Sequence, residues 1–185
     1  SKFSDSATLY LDIVDYPGEW LLDLPMLKLS FQQWSNTQVE RKAIFERSSY
    51  FAEFNQLVQS VDLAATADEL KLQQIADCYQ KLLQDCVTNH GFYYAQPGRL
   101  LLPGELEGTP VLALFPLLEL DEIGFESLEQ SAANSFYHTL KLRYKEYVAR
   151  VVKPFYHDYF AKFDRQLLLV DCFTPLNRGH AQFED

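Results

Sequence analysis

The stretch at residues 9–20, which reads LYLDIVDYPGEW, constrains the fold more than any other part of the chain. Its apolar side chains Leu9, Leu11 and Ile13 alternate with the residues between them, and a period of two is typical of a β-strand. The Pro-Gly pair that comes next is typical of a turn. We therefore expect a strand that ends at Asp15.

An aspartate at the carboxyl end of a strand lies at the edge where open α/β sheets bind their ligands. Asp15 is followed in the D-Y-P-G sequence by Gly18, and a glycine lets a backbone amide approach a ligand closely. Nucleoside triphosphatases use this Asp-x-x-Gly arrangement. The aspartate binds the magnesium ion, directly or through water, and the glycine amide contacts the γ-phosphate. The pattern is also common by chance, so the alternative is an ordinary strand that runs into a turn.

Four segments of the chain carry a family resemblance. They are DIVDYPGEWLLDLPML at 12–27, QPGRLLLPGELEG at 96–108, VVKPFY at 151–156 and FDRQLLLVDCFTPLN at 163–177. In this order they resemble the bacterial YcjX-like family of P-loop proteins, with the first segment in the place of the family's switch segment (switch II of Ras-like proteins). The resemblance is specific towards both ends of the chain and looser in the acidic helical middle.

The resemblance implies an α/β fold with part of a Ras-like parallel sheet, interrupted by a large, mostly helical insertion. It also implies hydrolysis of GTP to GDP and phosphate with Mg²⁺. In such a site Asp15 would bind the magnesium, Gly18 would contact the phosphate, and Glu19 would stand where Ras-like proteins place a water-orienting glutamine. The alternative for Glu19 is an acid favoured by the dipole at a helix N-terminus. GTP rather than ATP follows from the resemblance alone.

Two motifs of a complete site are missing from the sequence. It contains no G-x-x-x-x-G-K-[ST] loop, whose amides and lysine would hold the phosphates, and no Asn/Thr-Lys-x-Asp segment to read guanine. In the resembled family these motifs lie upstream and downstream of the matching segments. We therefore expect the chain to be the central segment of a larger enzyme and to be inactive by itself.

The pattern of apolar residues and turn residues predicts three parts. Residues 1–35 are expected to hold the core strand, the Asp-x-x-Gly switch and the following helix, and residues 163–185 to return to the core sheet. Residues 36–162 are expected to form the helical insertion, with a Pro/Gly-rich β element near 92–116. The predicted helices lie near residues 37–61, 67–89 and 127–162, and the remaining predicted strands at 99–102, 111–115 and 166–172.

Composition argues against several classes of function. A net charge of −10 and a pI near 4.8 disfavour nucleic acid and anionic membrane surfaces as partners. The longest apolar runs, such as residues 111–118, are far shorter than the ~20 residues that a membrane span needs. Three cysteines without close spacing indicate reduced thiols and a cytoplasmic protein, and four histidines without ligand spacing argue against a zinc site.

A second function from another class stays open at this point. The helical insertion could bind a protein partner, with the nucleotide acting only as a switch or playing no part. The sequence also leaves its arginines unexplained, because nothing distinguishes Arg143 from Arg150 as a cation for a transition state. Arg99 lies between two Pro-Gly turns, and its place there has no chemical explanation from the sequence.

Overall fold

The computed structural model describes Tyr10 and residues 12–165. The chain divides into two compact units, residues 1–154 and residues 155–185. The first unit contains six α-helices among its described residues, in the order Phe31–Val39 (α1), Lys42–Phe45 (α2), Tyr50–Gln59 (α3), Glu69–His90 (α4), Glu122–Glu129 (α5) and Phe136–Tyr147 (α6). Of the second unit, the structure describes a π-helical turn at Phe155–Tyr159 and a 3-10 turn at Phe160–Lys162.

The predicted parallel sheet is wrong for the described part of the chain. Residues 12–17 have no regular secondary structure, and between residues 12 and 165 the only β pairing is an isolated antiparallel bridge from Thr66 to Ser135. A strand exists only when a neighbour takes up its backbone hydrogen bonds, and alternation along one segment does not supply that neighbour. Ile13, one of the alternating apolar residues, is 83% exposed. The strand predicted at residues 166–172 lies outside the described residues.

Residues 12–17 lead into a 3-10 helix at Gly18–Lys28, called here the N-terminal helix. Its length is unusual, since 3-10 runs beyond three or four residues are uncommon. Pro25 lies inside it and removes one backbone donor. The helix is held by tertiary contacts, with the side chains of Asp23 and Met26 fully buried against the rest of the first unit.

The single helix predicted near residues 37–61 is not continuous: this range holds the end of α1, then α2 and α3. Polar side chains cap the starts of α1 and α3. Ser30 and Gln33 form a reciprocal capping box that begins α1. Further along, the Ser48 hydroxyl accepts a hydrogen bond from the Tyr50 amide at 3.2 Å at the start of α3. Such side-chain acceptors at a helix start favour a new helix over continuation of the old one.

The helix predicted near residues 67–89 is confirmed as α4. The Asp68 carboxylate accepts hydrogen bonds from the first backbone amides of the helix, and Gly91 ends it in the left-handed conformation with φ 69°. Its buried residues recur every three or four positions and face the core: Leu72, Ile75, Tyr79, Leu82 and Cys86. Both end signals and the apolar period are local, which is why the sequence was sufficient here.

The β element predicted near residues 92–116 is also wrong. This region forms short 3-10 turns at Gly98–Leu100, Gly104–Leu106 and Pro110–Leu112. Prolines begin or precede each turn and cannot donate to a sheet ladder. Apolar side chains of this region, including Leu114 and Phe115, are buried in the core of the first unit. We call residues 97–108 the Pro/Gly loop.

The long helix predicted at 127–162 is interrupted in the same way. The Ser135 hydroxyl accepts a hydrogen bond from the His138 amide and begins α6 as a separate helix after α5. A π-helical turn at Val148–Val152 follows α6 directly. None of the helices in the described part of the chain combines the length and the apolar character that a membrane span requires.

A layer of aromatic rings connects α1 and α6. Trp34 of α1 stacks on Tyr144 of α6, with ring centroids 5.3 Å apart. The Tyr144 hydroxyl also donates to the carbonyl oxygens of Met26 and Leu29. These contacts fix the end of the N-terminal helix against α6.

We expect Leu72→Ala and Leu70→Ala to differ sharply, although the two residues are neighbours on α4. Leu72 is completely buried whereas Leu70 is 83% exposed. Leu72→Ala should lower the free energy of unfolding by about 2–5 kcal/mol, because it removes core contacts and leaves a cavity. Leu70→Ala should change it by less than about 0.5 kcal/mol. Urea unfolding followed by circular dichroism measures both, and equal losses would contradict the placement of α4.

Candidate functional site

The residues predicted to meet the nucleotide lie at the start of the N-terminal helix. Asp15 is exposed in the irregular segment that precedes the helix, and Gly18 is the exposed first residue of the helix. A Cβ built on Gly18 would have no atom within 4 Å, so space is open around its backbone. Glu19 comes next and is half-buried. The structure thus exposes Asp15 and Gly18 and holds Glu19 closer to the body of the protein.

The carboxylates around Asp15 do not make a complete metal site. Among the described residues, no cluster of three or more histidine, cysteine, aspartate or glutamate side chains can hold a metal ion. Magnesium is usually held by one or two protein carboxylates, with phosphate oxygens and water completing its shell. An exposed Asp15 fits that partial role, and an exposed Gly18 fits contact with a phosphate.

The backbone of Glu19 packs closely against the Pro/Gly loop. A Cβ built on Gly98 would lie 1.9 Å from the Glu19 carbonyl oxygen and 2.7 Å from its carbonyl carbon. Side chains essentially never approach a backbone this closely, so only glycine fits at this position. The backbone of Glu19 therefore lies directly on the Gly98 backbone.

Trp20 is held by the same loop. The Arg99 guanidinium carbon lies 3.3 Å from the centroid of the Trp20 ring, and the indole N–H donates to the Leu102 carbonyl oxygen at 3.3 Å. A guanidinium over an indole face is attracted by the ring quadrupole and stacks on it through its planar face. We call Gly98, Arg99 and Leu102, which together hold Glu19 and Trp20, the clamp.

Arg99 is unusually buried for a cation, with 7% of its surface exposed. Its Nη1 atom lies 3.4 Å from the exposed carboxylate of Glu105. Burying a charge is unfavourable unless other groups compensate for lost water. In the clamp that compensation comes from the Trp20 ring, from Glu105 and from the nearby carboxylate of Asp23.

Asp23 joins the N-terminal helix to the Pro/Gly loop and to α6. It is only 2% exposed, and its carboxylate accepts hydrogen bonds from the Gly98 amide at 2.8 Å and from the Tyr147 hydroxyl. Burial raises the pKa of Asp23 from 3.8 to about 6, against the opposing effects of these hydrogen bonds and of the Arg99 charge. Burial and the same carboxylate hold the pKa of Tyr147 well above its ordinary value.

Sequence reasoning missed Asp23 and Tyr147 and left Arg99 unexplained. Asp23 carried a signal that could have been used, since it is a lone acid in the apolar run WLLDLPML. A charged residue in such a run is either exposed or bonded to a buried partner. Tyr147 lies among other aromatic residues of α6, and nothing in the sequence distinguishes it from its neighbours.

Comparison with known proteins adds a family to this geometry. Residues 1–185 match the sequence profile described as "YcjX-like family, DUF463". A protein of Shewanella oneidensis named "Ras-like GTPase YcjX" is 57% identical over 185 residues, which is all of this chain and 38% of that protein. A protein of Escherichia coli K12 with the same name is 42% identical over 183 residues, 99% of this chain and 39% of that protein. The chain thus spans less than two-fifths of the length of the curated relatives it matches.

We expect Gly98→Ala to destabilise the first unit while Gly18→Ala does not. A methyl group on Gly98 would overlap the Glu19 backbone, which cannot move away without breaking the clamp. The free energy of unfolding should fall by about 3 kcal/mol or more. At Gly18 the space is open, so the same substitution should leave stability unchanged or slightly raised. Comparable unfolding curves for the two variants would show that the clamp does not form.

Asp23→Asn should change how stability depends on pH. The folded-state pKa of Asp23 lies above 3.8, so its favourable contribution is complete below about pH 3.8 and is lost as pH rises through about 6. Asn cannot ionise, so the variant should gain stability relative to the natural chain over this range, by about 3 kcal/mol at most. Denaturant unfolding at a series of pH values measures the difference.

Asp85→Asn is the control for this pH dependence. Hydrogen bonds from Ser48 and Asn89 lower the pKa of Asp85, so its contribution is instead lost as pH falls. The two variants should therefore diverge from the natural chain in opposite directions. Parallel profiles for Asp23→Asn and the natural chain would contradict a buried, ionisable Asp23.

Proposed function

Because this chain belongs to the YcjX-like family, we propose that it is the central part of a Ras-like GTPase that hydrolyses GTP to GDP and phosphate with Mg²⁺. The chain would supply the Asp-x-x-Gly switch and a helical lobe, while the phosphate loop and the guanine-reading segment would come from other parts of the whole protein. The proposed division places the switch in residues 1–35 and the lobe in residues 36–162.

The observation that carries this proposal is a contrast within the switch, between the residues before Glu19 and the residues from Glu19 onward. Asp15 and Gly18 are exposed, and the space around the Gly18 backbone is open. Immediately afterwards Glu19 and Trp20 are fixed by the clamp. A nucleotide switch needs both properties. A phosphate must reach the exposed groups, and these groups must move relative to a rigid support.

Each of the three predicted residues then has a role. Asp15 would contribute one carboxylate to the magnesium shell, and the Gly18 amide would donate to the γ-phosphate. When bound, magnesium would neutralise negative charge on the phosphates. The Glu19 carboxylate would orient the attacking water or accept its proton. A negatively charged carboxylate close to the negatively charged phosphate is unfavourable. The position of the Glu19 carboxylate is therefore more critical than the position of a neutral glutamine side chain would be.

In the intact parent protein we expect Asp15→Ala and Glu19→Ala to fail in different ways. Asp15→Ala should weaken the magnesium-dependent part of GTP binding, because a metal ligand is lost. Glu19→Ala should keep GTP affinity and lower kcat by about a hundredfold, as loss of a general base does. Asp12→Ala is the matched control, since Asp12 is an exposed acid of the same segment. Calorimetric titration with GTP and with ATP, with and without Mg²⁺, measures binding, and phosphate release measures turnover.

The same experiment decides between an enzyme and an interaction module. If the parent binds no nucleotide, or if Asp12→Ala behaves like Asp15→Ala and Glu19→Ala, the switch segment has no part in hydrolysis. The helical lobe would then be the functional part of the chain. The 185-residue chain titrated beside the parent should bind GTP weakly or not at all, and micromolar affinity would contradict a site divided between segments.

A further inference from the structure

We propose that Arg99 is a positioning residue for the reaction: it holds Trp20, and through it Glu19, in the place from which Glu19 acts on water. This inference rests on the proposed GTPase function. Among the described residues, no hydrogen bond or ion pair joins the Arg99 guanidinium to Glu19 or Asp15. It acts through the Trp20 ring, whose centroid lies 3.3 Å from the guanidinium carbon.

The clamp holds two adjacent residues, Glu19 and Trp20, through two other adjacent residues, Gly98 and Arg99. Gly98 supports the Glu19 carbonyl, and Arg99 covers the Trp20 ring. Rotation of the Glu19 backbone would drive its carbonyl into Gly98 or pull the indole away from Arg99. Gly18 has no such restraint. Movement of the switch is therefore confined to the residues before Glu19 for as long as Arg99 stays in place.

The Pro/Gly loop can serve as a rigid support for Glu19 and Trp20 because the loop itself is anchored by hydrogen bonds. Its Gly98 amide donates to Asp23, and the same carboxylate accepts from Tyr147 of α6. The charge of Arg99 acts on this carboxylate as well. The position of Arg99 is thus set by the folded lobe, and Arg99 passes that position on to Trp20.

The chemistry of the contact requires arginine in particular. Lysine would keep the charge but has no planar face to lie on the indole, and its compact ammonium is more strongly hydrated and less suited to a site that is 7% exposed. Arg99→Lys therefore removes the stacking while preserving the charge near Asp23 and Glu105. Arg41→Lys is a matched control, because Arg41 also lies over an aromatic ring, that of Tyr94 at 5.0 Å, and neither residue belongs to the clamp.

The test uses the intact parent protein and steady-state hydrolysis of GTP. For Arg99→Lys we expect kcat to fall by about tenfold or more, because the catalytic carboxylate loses its alignment. KM and GTP affinity should stay within about twofold, because Asp15 and Gly18 are untouched. Arg41→Lys should match the natural protein in both constants. Equal kcat values for Arg99→Lys and Arg41→Lys would overturn the proposal, as would a rise in KM with kcat unchanged.

Coupling between the two sides of the contact gives a second measurement. Trp20→Leu should lower kcat to a similar extent, and the double variant Arg99→Lys/Trp20→Leu should be little worse than either single variant. Residues that act through one contact are non-additive in this way. Losses that simply multiply would show that Arg99 and Trp20 act separately, against the proposal.

Hydrogen exchange separates failure of this inference from failure of the proposed function. In the nucleotide-free parent, Arg99→Lys should speed amide exchange at residues 19–22, whereas Arg41→Lys should not, because only the first releases the clamp. If the natural parent hydrolyses no GTP, the GTPase proposal fails and exchange alone decides whether Arg99 holds this segment. Unchanged exchange in Arg99→Lys overturns the positioning role whatever the turnover.

Discussion

The first unit depends on one buried carboxylate. Asp23 accepts hydrogen bonds from Gly98 and from Tyr147, residues that lie 75 and 124 positions away in the chain. A carboxylate without such partners would not stay ionised in the interior. The three segments must therefore be in place together, since removing any one of them leaves polar groups buried without partners. The raised pKa of Asp23 shows that even these bonds do not fully offset its burial.

The clamp and the aromatic layer follow from this arrangement. Once Asp23 holds the Pro/Gly loop against the N-terminal helix, Gly98 meets the backbone of Glu19 and Arg99 covers Trp20. At the other end of the helix, Tyr144 donates to the carbonyl oxygens of Met26 and Leu29. The N-terminal helix is therefore held by these contacts from Glu19 onward, whereas Asp15 and Gly18 are exposed. Function, as we propose it, is located at that boundary.

The sequence predicted the local features and failed on those that need a distant partner. α4 was found because Asp68, Gly91 and an apolar period lie within one segment. The strand expected to end at Asp15 was wrong because alternation does not reveal whether a neighbouring strand exists. Arg99 stood out between its Pro-Gly turns, but its explanation is a ring 79 residues earlier in the chain. The roles of Asp15 and Gly18 came from the Asp-x-x-Gly pattern together with the resemblance, and that of Glu19 from the resemblance; all three remain proposals.

The carboxylate of Asp23, shared by three segments, limits how the proposed switch can move. If the N-terminal helix shifted alone, Asp23 would lose the Gly98 amide or the Tyr147 hydroxyl and would be left as a poorly compensated buried charge. Loss of a partner from a buried ion is among the most unfavourable single changes in a protein. Two kinds of motion avoid it: the exposed residues before Glu19 move alone, or the N-terminal helix, the Pro/Gly loop and α6 move as one body. In either case Asp23 keeps its hydrogen bonds to Gly98 and Tyr147, and the rigid support of the proposed switch stays intact.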